Sequence, residues 1–135
     1  MMGLTVMGAM LVEGKVFSGT GEGAKFVSLP WVRKQIIKKL GFEPYPGTLN
    51  IKLAKVHTNL EECLKKAKPI EISPRKNFCS GICFKACLMD NLECAVVIPA
   101  VAGYPEDVIE ILAPVNLREK FQLKDGDTVR VKIML

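Results

Sequence analysis

The sequence predicts a mainly β fold, a small closed β-barrel carrying one or two short helices. Short runs that alternate apolar and polar residues recur along the chain, as in Thr48-Leu49-Asn50-Ile51-Lys52-Leu53, and this is the period of a half-buried strand. Strand-like runs outnumber helical ones and do not alternate strictly with them, which disfavours a doubly wound parallel sheet. Many short strands suit a closed barrel, because closure leaves no exposed edge. The 135 residues suit a single domain over 1–135, with residues 1–9 as a loose N-terminal tail.

The elements follow in order. Residues 10–18 read as a strand ending in the turn Gly19-Thr20-Gly21-Glu22-Gly23, which does not open directly into a helix. Leu29-Pro30-Trp31 opens a helix that runs through Leu40. Pro30 near its first position forfeits no hydrogen bond, and Val32, Ile36, Ile37 and Leu40 recur at helical spacing. Lys38 and Lys39 complement the dipole at its end, and Gly41 serves as the C-cap. The rigid turn Pro44-Tyr45-Pro46-Gly47 feeds a strand over 48–53. Asn59 caps a short helix over 60–67, and Ile70-Glu71-Ile72 is a short strand. Residues 78–89 and 92–99 form a hairpin about Asp90-Asn91. Another strand spans 108–112. A helical turn spans 117–123, with Asn116 as N-cap and Glu119 at its third position. Lys124-Asp125-Gly126-Asp127 then leads into a final strand over 128–135.

Hydrophobic residues make up 49% of the chain, enough for a core and too many for a disordered segment. The formal net charge of +5 favours anionic partners, phosphate groups as well as nucleic acid. The apolar N-terminus has no basic n-region and is too short to span a bilayer, so no membrane partner is expected. With no secretory signal ahead of the 5 cysteines, their thiols are expected to be reduced and the compartment cytoplasmic. Cys79, Cys83 and Cys87 lack the paired Cys-x-x-Cys spacing of a zinc site, and the lone His57 is remote, so they read as buried inert thiols.

Two segments carry chemistry. The glycine-rich turn can aim several backbone N–H groups at one anion, with Lys25 close by. It lacks the spacing of a Walker loop, and in isolation it also fits a plain hairpin turn. Thr48 and Asn50 offer two neutral oxygens on one face of a strand. They are too few for a protein-only cation site, but they can assist a magnesium ion held by phosphates. Glu110 interrupts an apolar strand. By pattern alone it faces solvent; turned toward a pocket, its carboxyl can accept a substrate hydroxyl or ring N–H. Arg118 suits phosphate or ribose recognition.

Together the segments resemble the archaeal type of CTP-dependent riboflavin kinase. The resemblance rests on Gly14-Lys15-Val16-Phe17-Ser18-Gly19-Thr20-Gly21-Glu22-Gly23, on Leu40-Gly41-Phe42-Glu43-Pro44-Tyr45-Pro46-Gly47-Thr48-Leu49-Asn50, on Val108-Ile109-Glu110-Ile111-Leu112-Ala113-Pro114 and on the run from Leu117 to Asp127. It implies a cradle-loop-type β-barrel that transfers the γ-phosphoryl group of CTP to the ribityl hydroxyl of riboflavin, giving FMN and CDP. By position, it implies that Gly19, Thr20, Gly21, Glu22, Gly23 and Ala24 line the nucleotide phosphates and that Val115, Asn116, Leu117 and Arg118 contact CTP. It also implies one magnesium ion on Thr48 and Asn50, and Glu110 against the flavin. There Glu110 orients the acceptor or takes its proton; orientation is preferred, since nothing in the sequence raises its basicity. At a second flavin position, where the family has threonine, this chain has Ala102. The missing hydroxyl removes one flavin hydrogen bond, typically worth about 1 kcal/mol. A monomer acting on riboflavin and CTP, with no nucleic-acid partner, is expected. Two rivals are a barrel-type DNA-binding module, which predicts salt-sensitive duplex binding, and a non-catalytic flavin-binding protein, which ignores CTP.

Overall fold

The computed structural model of the chain describes residues 5–6, 9–19, 21–54, 69–72, 81–89, 91–99, 105 and 107–134. Its strands are β1 (Thr5–Val6), β2 (Ala9–Phe17), β3 (Leu49–Leu53), β4 (Ile70–Ile72), β5 (Gly81–Leu88), β6 (Leu92–Pro99), β7 (Val108–Leu112) and β8 (Thr128–Met134). The helices are α1 (Glu22–Ser28), α2 (Pro30–Leu40) and α3 (Leu117–Phe121).

The strands close as expected. β2 pairs β3, β3 pairs β7, β7 pairs β6, β6 pairs β5, β5 pairs β8 and β8 returns to β2, every pairing antiparallel. Followed around the ring, these registers return to β2 about ten residues from their start, the kind of stagger that tilts the strands of a closed barrel. β1, which falls within the stretch read as a tail, pairs with β2, and β4 pairs with β5.

Alternation along the strands sorts their side chains into two cores. Inward positions such as Val12, Val16, Leu49, Ile51, Phe84, Leu88, Val96, Ile109, Ile111, Val131 and Ile133 fill the barrel. The outer faces of β4 to β7 contribute Ile72, Cys83, Ala95, Val97 and Leu112 to a second core, which Val27 of α1 and Val32, Ile36 and Leu40 of α2 complete. α1 and α2 thus lie on the outside of the barrel and cover one part of its wall, whereas Leu117 and Phe121 of α3 pack on the inner core. This second core explains why Cys83, Ala95, Val97 and Leu112 are apolar and buried on the outer faces of β5 to β7, while Lys85 and Glu93, beyond its cover, are exposed. A strand is buried on both sides only where something packs on its outer surface.

Three expectations need correction. The glycine-rich segment does open into a helix. α1 starts at Glu22 with Gly21 in the left-handed region (φ 85°) and no side-chain cap, so it lacks the Ser, Thr, Asp or Asn signal that marks most helix starts. Burial of Val27 holds this short helix in place. Ile37 is 42% exposed. The buried stripe of α2 is Val32, Ile36 and Leu40, each four residues apart, and Ile37 lies one residue around from it. Glu110, which the strand pattern sends toward solvent, is only 8% exposed. It sits on the outer face of β7, opposite the inward Ile109 and Ile111, and the polypeptide around α1 covers it.

Other expectations hold. α2 runs from Pro30 to Leu40 with Gly41 as its left-handed C-cap, and Asn116 caps α3 by accepting from the Glu119 N–H at 3.2 Å. The helix expected over 60–67, His57, Cys63, Cys79 and Asp90 lie outside the described residues. Of the cysteines read as buried, Cys83 is so, whereas Cys87 is half-buried, a departure from the expectation; burial pushes the thiols of Cys83 and Cys94 up to about 12. Among the described residues, no helix is long and apolar enough to cross a membrane.

Ile51 and Ile37 separate the core from the surface. Ile51→Ala should destabilise the fold by about 2–5 kcal/mol through the cavity it leaves. Ile37→Ala should change stability by less than about 0.5 kcal/mol, as exposed sites generally do. Urea titration of the two variants measures both.

Candidate functional site

Register brings the first residues of the site together. On β3, Leu49, Ile51 and Leu53 point into the barrel, so Asn50 points outward. Directly across the ladder Asn50 faces Glu110 of β7 on one side and Phe17 of β2 on the other. Thr48, one residue before β3, shares the outer face. Its hydroxyl donates to Glu110 Oε1 at 2.8 Å. Three polar side chains from two segments of the chain thus meet on one patch of the barrel wall.

The glycine turn lies directly against this patch. Two residues beyond Phe17 the chain reaches Gly19, where a Cβ would collide with the side-chain amide of Asn50. At Gly23, in the first turn of α1, a Cβ would collide with both Glu110 Oε1 and Thr48 Oγ1. Only glycine allows the backbone to approach so closely. Gly21, between them, has open space around it, and it is its positive φ that calls for glycine. Ala24 follows within α1, and Lys25 lies exposed in its last turn. The turn therefore brings its main chain against two neutral oxygen donors and a carboxyl.

Thr48 also opens onto a pocket of about 180 Å³ lined by Tyr45, Gly47, Leu49, Ile111, Ala113, Val115, Asn116, Leu117 and Arg118. Its rim is fixed by hydrogen bonds. The Tyr45 N–H donates to the Ala113 carbonyl at 2.8 Å, and Asn116 Nδ2 donates to the Tyr45 hydroxyl at 3.1 Å. Arg118 Nη2 donates to the Phe17 carbonyl at 3.3 Å and pairs with Asp125 Oδ1 at 2.8 Å. Ser18 Oγ donates to the two oxygens of Asp125 at 3.0 and 2.8 Å. The Arg118 guanidinium, and then the Ser18 hydroxyl, hold the Asp125 carboxyl below its usual range.

The structure therefore gathers Gly19, Gly21, Gly23, Thr48, Asn50 and Glu110 at one place, and it joins Val115 to Arg118 to them through Thr48. Thr20 and Ala102 lie outside the described residues. Sequence reasoning placed Ser18 at the end of a strand and Tyr45 and Asp125 in turns, within the blocks that carry the resemblance but with no role in the site, and their part in it appears with the hydrogen bonds. The donor set fits magnesium in one way only. Two neutral oxygens can complete the shell of an ion that phosphates already hold, since magnesium takes oxygen ligands and keeps several waters. Among the described residues, no group of three or more His, Cys, Asp or Glu side chains could hold a metal by itself.

Comparison with known proteins places the chain among relatives. A family model named CTP-dep_RFKase, described as a domain of unknown function, DUF120, matches residues 16–133. A riboflavin kinase of Archaeoglobus fulgidus is 42% identical over 132 residues, 95% of this chain and 56% of that protein. One from Methanosarcina barkeri is 40% identical over 126 residues, 90% of this chain and 56% of that protein. One from Pyrobaculum aerophilum is 45% identical over 129 residues, 90% of this chain and 60% of that protein. The chain thus spans little more than half the length of these curated relatives.

Two outcomes follow from the close contacts. Gly23→Ala should lower stability by about 1–3 kcal/mol, because the methyl has no room. Gly21→Ala, in open space, should cost only about 1 kcal/mol from its left-handed backbone. Chemical denaturation ranks the two. The Asp125 carboxyl has a lowered folded value, so its stabilising effect is present above the ordinary carboxylate range and is lost as pH falls through the folded value. The stability gap between the wild type and Asp125→Asn should therefore be constant near neutrality and close below about pH 4; urea titration across pH reads it.

Proposed function

This chain belongs to the CTP-dependent riboflavin kinase family, and on that basis we propose that its barrel transfers the γ-phosphoryl group of CTP to the 5′-hydroxyl of the riboflavin ribityl chain, giving FMN and CDP. The observation that most supports the proposal is the close seat of Gly19 and Gly23 against Asn50, Thr48 and Glu110. Phosphoryl transfer asks little covalent work of a protein and much positioning and charge compensation. A backbone turn beside two neutral oxygens and a carboxyl is suited to that task.

In this mechanism the N–H groups of the glycine turn bind the phosphates, with the Lys25 ammonium nearby to offset their charge. Val115, Asn116, Leu117 and Arg118 hold the cytidine part in the pocket that Tyr45 borders. Thr48 and Asn50 would hold one magnesium ion together with the phosphates. Bound there, it supplies Lewis-acid charge neutralisation on the phosphate oxygens. Glu110 orients the acceptor hydroxyl. The ribityl oxygen forms a bond to the γ-phosphorus as the bond to the β-bridging oxygen breaks, and the hydroxyl proton is released. The Thr48–Glu110 hydrogen bond couples the placement of acceptor and donor, because one carboxyl contacts both the flavin and a residue beside the phosphates. Such placement works chiefly by holding the reactants in line. A soluble enzyme in the cytoplasm, acting as a monomer, completes the proposal.

Incubation of the purified chain with riboflavin, magnesium and either CTP or ATP, followed by chromatography, tests the activity and the donor together; FMN formed from CTP is expected. A chain that binds riboflavin and yields no FMN from CTP would be a flavin carrier instead. Asn50→Ala should raise the magnesium needed for half-maximal rate by about tenfold to a hundredfold, the range seen when the support of a metal site is removed. Glu110→Gln should weaken riboflavin use by about tenfold, as loss of a hydrogen bond to a charged group does. An Asn50→Ala variant with unchanged magnesium dependence removes the metal role, and a Glu110→Gln variant with normal flavin affinity and rate removes the acceptor role.

A further inference from the structure

We infer that Asp125 is a positioning residue that locks the two flanks of the nucleotide site, the glycine turn after β2 and the segment leading into α3, into one unit; this rests on the nucleotide role proposed above. Those flanks are distant in sequence, with Phe17 and Arg118 101 residues apart. One carboxyl spans them. It accepts from Ser18 Oγ at 2.8 and 3.0 Å and from Arg118 Nη2 at 2.8 Å. Ser18 immediately precedes Gly19, and Arg118 lines the pocket. The same guanidinium nitrogen reaches the Phe17 carbonyl at 3.3 Å, so the end of β2 is tied on both its side-chain and its main-chain atoms.

The loop that carries Asp125 is itself anchored. The Gly126 N–H donates to the Val16 carbonyl at 2.8 Å, and the Val16 N–H donates to the Asp127 carbonyl at 2.9 Å. Asp127 Oδ2 accepts from the Lys124 N–H at 2.8 Å. The carboxyl is thus delivered from an anchored turn onto the Ser18 and Arg118 side chains. It does not line the pocket, and a negative group so close to bound phosphates would oppose them unless it were matched. Arg118 matches it. Positioning therefore explains the residue better than ligand contact does. Charge-assisted bonds suit the task, since they are shorter and more directional than neutral ones.

Steady-state kinetics of the full chain with CTP, riboflavin and magnesium test the inference. Asp125→Ala should raise KM for CTP about fivefold, the largest effect an exposed ion pair normally carries, and leave KM for riboflavin unchanged. Ser18→Ala should raise KM for CTP by a smaller factor. The double variant should be no worse than Asp125→Ala, because both changes act through one junction. Unchanged KM for CTP in Asp125→Ala overturns the inference, and so does an equal rise in both KM values, which marks a general structural role. If Asp125→Ala does not fold, Ser18→Ala decides in the same way. A wild-type chain that makes no FMN from CTP removes the nucleotide role and this inference with it, whereas an active wild type with an indifferent Asp125→Ala variant removes the inference alone.

Discussion

The lack of a Cβ at Gly19 and at Gly23 is the constraint on which the site depends. A methyl at either position would occupy the space of Asn50, Thr48 or Glu110. With only hydrogen there, main chain and polar side chains come within contact distance. The N–H groups of the turn and the oxygens of β3 and β7 can then address the same ligand. This arrangement suits phosphate chemistry, in which fixed donors aimed at developing charge act with little reorganisation.

What brings the turn to that place is apolar packing. The barrel interior is filled by one face of each strand, and a barrel of this size needs nothing on its outside to close. Here part of the outer wall is apolar as well, and α1 and α2 bury it. Val27 is the anchor on α1, and Gly23 lies four residues before it, one helical turn away. The second core therefore does two things at once. It buries the outer faces of β5, β6 and β7, and it sets the first turn of α1 over Thr48 and Glu110. Glu110 is buried by the same packing, with the Thr48 hydroxyl at 2.8 Å, as a polar group removed from water requires.

The other side of the site is held by polar contacts rather than by packing. Two sets of hydrogen bonds stand beside the pocket, Asn116 with Tyr45 and Arg118 and Ser18 with Asp125. Each is modest by itself. Their value lies in geometry, because they join a turn near residue 45, the loop before α3 and the end of β2. The excess of basic residues over acidic ones gives a net charge of +5. That sign favours the approach of anionic ligands.

The sequence by itself determined the strands, the closed barrel, the limits of α2 and the cap of α3. These depend on local period, on Pro30 and Gly41 at helix ends and on the Asn116-to-Glu119 spacing, all of which are short-range properties. It also pointed to Gly19, Gly23, Thr48, Asn50 and Glu110, through the order of motifs that resembles the family. Only the tertiary structure decided that Glu110 is buried rather than solvated, that the glycine segment begins a helix and that Ile37 is left at the surface. Each of these depends on what packs on the outside of the barrel, and alternation along a strand cannot report that. The junction of Ser18, Arg118 and Asp125 was equally hidden, since its members are more than 100 residues apart at the extremes and meet only when the ring of strands closes.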